Sequence, residues 1–194
     1  DTLVTGVTRA FQPSLEHVRR VIGPAKDSQF MTTSIIIARG RKGVIGDVVV
    51  NESRNAEQLA DIAIAMADKA RQMGHVPRVA ILSYTNFGNP ESKTNAMARA
   101  AVAALEQRHV DFELDGEMTG DIALDYELMK SRYPFCRLTG PANILVMPGL
   151  HSANIAFKLV DQLGSVSVIG PMMLGGEFPF QIVQMGASVN DLVH

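Results

Sequence analysis

Val79-Ala80-Ile81-Leu82, followed by Ser83-Tyr84-Thr85-Asn86-Phe87-Gly88-Asn89-Pro90, is the stretch that decides the fold. Four apolar residues in a row, without polar alternation, mark a strand buried on both faces. The polar loop after them carries glycine and proline, which stop the strand. A helical pattern then runs near Lys93–Gln107. The unit recurs in outline, though not as a sequence repeat. Val110–Leu114 reads as a second strand, with a helix near Asp121–Ser131. Ile144-Leu145-Val146-Met147 reads as a third, with a helix near Ala153–Leu163, and Val166–Ile169 as a fourth. This alternation implies an α/β fold: a three-layer α/β/α unit with a mostly parallel sheet.

The upstream half fits the same picture. Asn55–Met73 is the clearest helix, with Asn55 and Gln58 at capping-box spacing and an apolar stripe through Leu59, Ile62, Ala63, Met66, Ala70 and Met73. Gly74 stands where a helix C-cap belongs. Ser34–Arg39 and Val44–Val50, joined by Gly40 and Gly43, read as a hairpin or two adjacent strands. Leu15–Ile22 reads as a short helix capped by Ser14. The alanine-rich face near Ala96–Leu105 suits either a partner or its own sheet.

Composition narrows the function classes. With 46% hydrophobic residues in 194, there is material for a real core, and a net charge of −2 gives no global attraction to nucleic acid or membrane. The cluster Arg39, Arg41 and Lys42 reads as a solvated strand end. The single cysteine, Cys136, rules out a disulfide within the chain and points to a reducing, cytoplasmic setting. It has no histidine nearby in sequence and reads as structural. The charge-free run Leu138–Phe157 is broken by Pro141, Asn143, Pro148, Gly149, His151 and Asn154, so it is a poor membrane span. Both ends, at Asp1 and His194, read as cuts inside a longer fold.

Ligands of open parallel sheets bind beyond the carboxyl ends of the strands. The residues expected there are Ser83, Thr85, Asn86 and Gly88; Asp115, Gly116 and Glu117; Pro148 to Asn154, with His151; and Gly170 and Pro171. Glycine admits close backbone approach, and helix N-termini offer N–H groups to phosphate. The set therefore predicts a site for a phosphate-bearing ligand. His151 is a candidate base, but Ser152 beside it suits helix capping, and the structural role is preferred. Asp115 and Glu117 lack matching partners for a metal site. There is no phosphate-loop lysine motif and no dinucleotide glycine fingerprint.

Several of these segments, in order and at similar spacing, resemble the phosphate acetyl/butyryl transferase family. They are Ser83 to Gly88, Leu114-Asp115-Gly116-Glu117-Met118, Ala142 to Pro148, Ser152-Ala153-Asn154-Ile155 and Ile169-Gly170-Pro171. Leu3-Val4-Thr5-Gly6 and Val18-Arg19 look like the family's mid-chain segment. Asn86-Phe87-Gly88 replaces the Thr-Lys-Gly of stand-alone transferases. It is more similar to the transferase-like domain at the C-terminus of large bacterial NADP-dependent malic enzymes.

The resemblance implies a fold with the two-domain arrangement of isocitrate and isopropylmalate dehydrogenases. Residues 1–30 and 170–194 would be remnants of one subdomain and 31–169 the other. It implies an acyl-CoA ligand, association into at least a dimer, and an upstream malic domain using NADP and a divalent metal. Active transferases carry Ser-Arg near the end and an aspartate a few residues later. Here Gln184 and Met185 hold the serine and arginine positions, Asp191 keeps the aspartate, and Arg19 matches a second phosphate-binding arginine. The implied role is a catalytically silent acetyl-CoA sensor without metal or cofactor of its own. The rival implication is an active phosphate acetyl- or butyryltransferase.

Overall fold

Six strands form the central sheet, in the order β5-β4-β6-β3-β2-β7. They are β2 (Met31–Ala38), β3 (Arg41–Gly46), β4 (Arg78–Leu82), β5 (Glu113–Met118), β6 (Ile144–Val146) and β7 (Val166–Leu174). The computed structural model describes residues 1–26, 28–38, 40–47, 49–51, 55–90 and 93–189. β4 pairs in parallel with β5 and β6, and β3 with β6. β2 is antiparallel to both β3 and β7, so β7 runs the same way as the other four. The sheet is thus mostly parallel. The two runs joined by Gly40 and Gly43 form a hairpin, although β3 ends at Gly46, short of the expected Val50.

Helices cover both faces. α2 (Ala56–Gln72) and α3 (Lys93–Gln107) pack on one, where Leu59, Ile62, Met66, Ala98, Ala101 and Leu105 meet Val44, Val79, Ile81 and Ile144. The alanine-rich face of α3 therefore serves its own sheet. α4 (Gly120–Leu124), α5 (Tyr126–Arg132) and α6 (Leu150–Leu163) cover the other face, where Ile122, Met129, Ala153 and Phe157 meet Ile45, Ala80, Leu82 and Leu145. Alternate residues of each strand feed the two cores, which is why the strands are apolar throughout.

A second, two-stranded parallel sheet pairs β1 (Leu3–Gly6) with β8 (Phe180–Val183). α1 (Phe11–Val21) lies against it, and Leu15, Val18, Phe30, Met173, Phe180 and Ile182 form its core.

Several boundaries differ from the sequence reading. α1 starts at Phe11; Ser14 lies inside it, and its hydroxyl donates back to the Ala10 carbonyl at 3.1 Å, a bond that competes with capping. β5 starts three residues late, after a turn in which His109 has φ 50°, so Asp115, Gly116 and Glu117 lie within the strand. The helix expected over 121–131 breaks at Asp125, whose carboxylate accepts the Leu128 N–H and starts α5 afresh. α6 begins at Leu150 behind Gly149, so Ser152 does not cap it; the Ser152 hydroxyl donates to the Gly149 carbonyl at 2.8 Å. β7 runs on through Gly170 and Pro171 to Leu174, which an irregular edge strand allows. Arg39 and the C-terminal 191–194 pattern lie outside the described residues.

The capping box of α2 is present in full: the Asn55 side chain accepts the Gln58 N–H at 2.9 Å and Gln58 returns the bond to Asn55. Replacing Asn55 with alanine is expected to lower unfolding free energy by about 1 kcal/mol. Urea denaturation measures it, with a shifted midpoint at unchanged slope.

Candidate functional site

The loop after β4 turns its polar side chains inward. Glu117 is fully buried, and its Oε1 accepts the Thr85 hydroxyl at 3.1 Å and the Gly88 N–H at 2.6 Å. Arg99 on α3 stands 3.5 Å from the other carboxylate oxygen. The Phe87 N–H donates to the Glu117 carbonyl at 2.8 Å. Asn86 Oδ1 accepts the Thr119 N–H at 2.9 Å, and the Ser83 hydroxyl donates to Asn95 at 2.8 Å. Asn95 in turn donates to the Pro90 carbonyl at 2.6 Å. Ser83, Thr85, Asn86, Gly88 and Glu117 are thus brought together, as a brace between β4, β5 and α3.

Asp115 is committed in the same way. Its carboxylate accepts the Arg137 N–H at 2.8 Å, the Arg137 guanidinium at 3.0 Å and the Gly116 N–H at 2.9 Å. Burial pushes this carboxyl up, but the Arg137 guanidinium and the two backbone donors outweigh it and hold it below its ordinary range. Burial pushes the Cys136 thiol up, which keeps it protonated and fits the structural reading. Gly116 and Gly170 make room for neighbouring strands. A Cβ on Gly116 would fall 2.6 Å from the Ile81 carbonyl oxygen, and one on Gly170 2.9 Å from that of Thr33; both have positive φ, 150° and 118°.

The topology marks where a ligand crevice belongs. β3 and β4 send their helices to one face and β6 sends α6 to the other. Neighbouring strands whose crossovers diverge leave a crevice at their carboxyl ends. Exposed Tyr84, exposed His151 in the first turn of α6, and half-buried Asn154 border this region. Asp47, after β3, was missed by the sequence reading. It is fully buried and accepts from Thr32, Val50 and Asn51, which organises the loop leading toward α2. An isolated aspartate between Gly46 and Val48 gives no signal of this in the sequence.

Gly170 and Pro171 stand apart from the other strand ends. β7 is five strand steps from β5, about 24 Å at ~4.8 Å per step. The four ends share one edge but do not converge. Gly170 and Pro171 instead line a cleft of about 460 Å³ between β7 and β8, with Val4, Ile169, Met172 and residues 181–187. Gln181 bridges it: its amide accepts from Met173 N–H at 3.0 Å and donates to the Pro171 carbonyl at 2.7 Å, imitating a neighbouring strand. Gln184 and Met185 form part of the wall, with Met185 67% exposed. No lining residue carries a charge. Arg19 is exposed on α1, the helix that packs on β1 and β8; Asp191 lies outside the described residues. Among the described residues, no three His, Cys, Asp or Glu side chains gather as a metal site, and no helix is long and apolar enough to cross a membrane.

The profile described as "Phosphate acetyl/butaryl transferase" matches residues 1–194. The chain belongs to the phosphate acetyl/butyryl transferase family. An NADP-dependent malic enzyme from Rhizobium meliloti is 45% identical over all 194 residues, which make up 25% of that enzyme. A phosphate acetyltransferase from Treponema pallidum is 39% identical over 77% of this chain and 46% of its own. The EutD phosphotransacetylase from Staphylococcus aureus superposes with a TM-score of 0.90 at 26% identity, over 99% of this chain and 60% of that one. The chain thus spans about a quarter of the malic enzyme it matches. Within the family it resembles the transferase-like part of such enzymes.

Glu117→Gln is expected to lower stability by about 1–3 kcal/mol, because it removes the charge from the buried carboxylate that accepts the Thr85 and Gly88 hydrogen bonds inside the brace; thermal melting tests this. Asp115 sets a pH dependence. Its carboxyl is depressed in the folded state, so its contribution is complete above the ordinary aspartate range near ~4 and lost as pH falls through the lower folded value. Asp115→Asn should flatten the acid limb of the stability–pH curve.

Proposed function

We propose that this chain is the acetyl-CoA-sensing regulatory and oligomerisation domain of an NADP-dependent malic enzyme, and is itself catalytically silent. The parent reaction is the oxidative decarboxylation of malate to pyruvate in the cytoplasm. NADP and a divalent metal belong to an upstream malic domain of the same polypeptide. The assembly is at least a homodimer. Residues 1–30 and 170–194 belong to one subdomain and 31–169 to another, in the manner of isocitrate and isopropylmalate dehydrogenases. A two-stranded parallel sheet is too small to stand alone, which supports reading β1 and β8 as part of a larger layer.

One observation supports the silent reading: Gln184 and Met185 wall the cleft, and the sequence resemblance sets them at the positions that family transferases fill with serine and arginine. Acyl transfer to phosphate needs a fixed cation to hold phosphate and offset developing charge. Arginine does this with two parallel hydrogen bonds, and a thioether cannot. An uncharged cleft of this size suits the acyl and pantetheine parts of acyl-CoA. The phosphates then fall to cations outside the lining, of which Arg19 is the proposed one. Among the strand-end residues, His151, Asn154, Gly170 and Pro171 are the proposed ligand-facing set, with Thr85, Asn86, Asp115 and Glu117 holding the frame. Regulation follows by linkage: acetyl-CoA shifts the malic domain as far as it binds one state of the assembly more tightly than the other.

The rival reading, an active transferase moving an acyl group between CoA and phosphate, draws on the likeness to the treponemal enzyme. Acetyl phosphate and CoA supplied to the intact protein separate the two. The expected result is background turnover that rises about 100-fold or more on Gln184→Ser with Met185→Arg. Robust turnover by the unmodified protein overturns the silent reading.

A further inference from the structure

α6 is apolar on two sides. Ala153 and Phe157 join the core beneath it, with Ile45 and Leu145. Away from that core, Ile155 is 58% exposed, Leu159 53% and Leu163 83%, and Val160, at 37%, widens the stripe. Lys158 and Asp161 are the only lysine, arginine, aspartate or glutamate in the helix. α2, which has one face in solvent, carries Glu57, Asp61, Asp68, Lys69 and Arg71. A helix that is apolar around most of its circumference is one that is covered around most of it.

The position and spacing of the stripe narrow what covers it. β7 is the outermost strand at this end of the sheet, and α6 packs against β3 and β7, so α6 is the end helix of its layer. Ile155, Leu159 and Leu163 recur every four residues. Leu159 therefore has a large aliphatic neighbour one turn away in each direction, and the ridge is alike read from either end. A two-fold contact needs a surface that is complementary to itself. Set across a two-fold axis at Leu159, the ridge meets its own copy with Leu159 on Leu159 and with Ile155 of each copy toward Leu163 of the other. Ridges of this four-residue spacing interlock with one another at a crossing angle of about −50°, the commonest packing of two helices.

We propose that the α6 stripe is the contact between two copies of this chain, α6 against α6 across a two-fold axis at Leu159. The inference rests on the oligomerisation part of the function proposed above and gives that oligomer its surface; it does not depend on the effector. The exposed parts of Ile155, Leu159, Val160 and Leu163 form roughly 400 Å² of apolar surface, in the size range of patches that serve an interaction. A specific interface takes about 800 Å² from each partner, a little over half of it apolar. The stripe supplies about that apolar share. Charge points the same way. An acidic or basic partner finds no counter-charge on the ridge, whereas a second ridge is aliphatic at every matching position.

Thiol cross-linking in the intact protein tests this. Cys136 is buried, so within this domain an introduced surface cysteine is the reactive one. Leu159→Cys, treated with a short bis-maleimide, is expected to give a covalent dimer well above the unmodified protein. Val76→Cys, at an exposed site in the turn before β4, is expected to stay single. Adding Leu163→Glu or Ile155→Glu to Leu159→Cys should cut the yield of dimer about ten-fold or more, because each sets carboxylates in the contact without touching the core. Two results overturn the proposal by showing another cover. If Leu159→Cys stays single and is shielded from a mono-maleimide, a segment of the same polypeptide lies over the stripe. If it stays single and reacts as fast as Val76→Cys, nothing lies over it. A dimer that forms as readily through Val76→Cys, or that is indifferent to the glutamates, also overturns it. Calorimetry with acetyl-CoA on the unmodified protein reads the sensing proposal separately, so the two readings fail by different results.

Discussion

Five strands that run the same way cannot be joined by tight turns. Each return crosses a face of the sheet, and each parallel strand must be covered on both sides. That constraint sets the rest of the architecture. It places α2 and α3 on one face and α4, α5 and α6 on the other, and it gathers the loops after β3, β4, β5 and β6 along one edge. It also explains why Val79 to Leu82 and Ile144 to Val146 are apolar at every position: neither face of these strands meets water.

The layers were legible because continuous apolar runs and helical stripes are local signals. The α2 helix, its Asn55–Gln58 box and its Met66 core contact could be read residue by residue. What the sequence did not disclose depends on contacts distant along the chain. β5 holds an Asp-Gly-Glu that propensity would send to a loop, and it stays in the strand because Arg137 and the loop after β4 satisfy both carboxylates. β7 continues through a proline because Gln181 supplies the edge contacts of a missing neighbour. The order of strands was equally hidden, and with it the separation of Gly170 and Pro171 from the loops near β4 and β5.

That separation changes the meaning of the strand-end residues. Polar side chains grouped at one edge look like ligand contacts in a sequence, yet Thr85, Asn86, Asp115 and Glu117 are largely consumed in holding backbone segments together. A braced edge of this kind suits a domain that must present a fixed surface. The cleft between β7 and β8 lies between the main sheet and the β1–β8 pair, where relative movement of the two layers would alter its width. An effector seated there can favour one arrangement without any bond being made or broken, which is the physical content of sensing as opposed to turnover.

The proposed function requires that this domain be coupled to a malic domain in the same protein. The most direct measurement is the rate of NADP-dependent malate oxidation by the intact protein as acetyl-CoA is raised. The account predicts a saturable fall in rate and, by linkage, a lower affinity for acetyl-CoA in the state that malate favours. A rate that stays flat across the concentrations at which acetyl-CoA binds would contradict it.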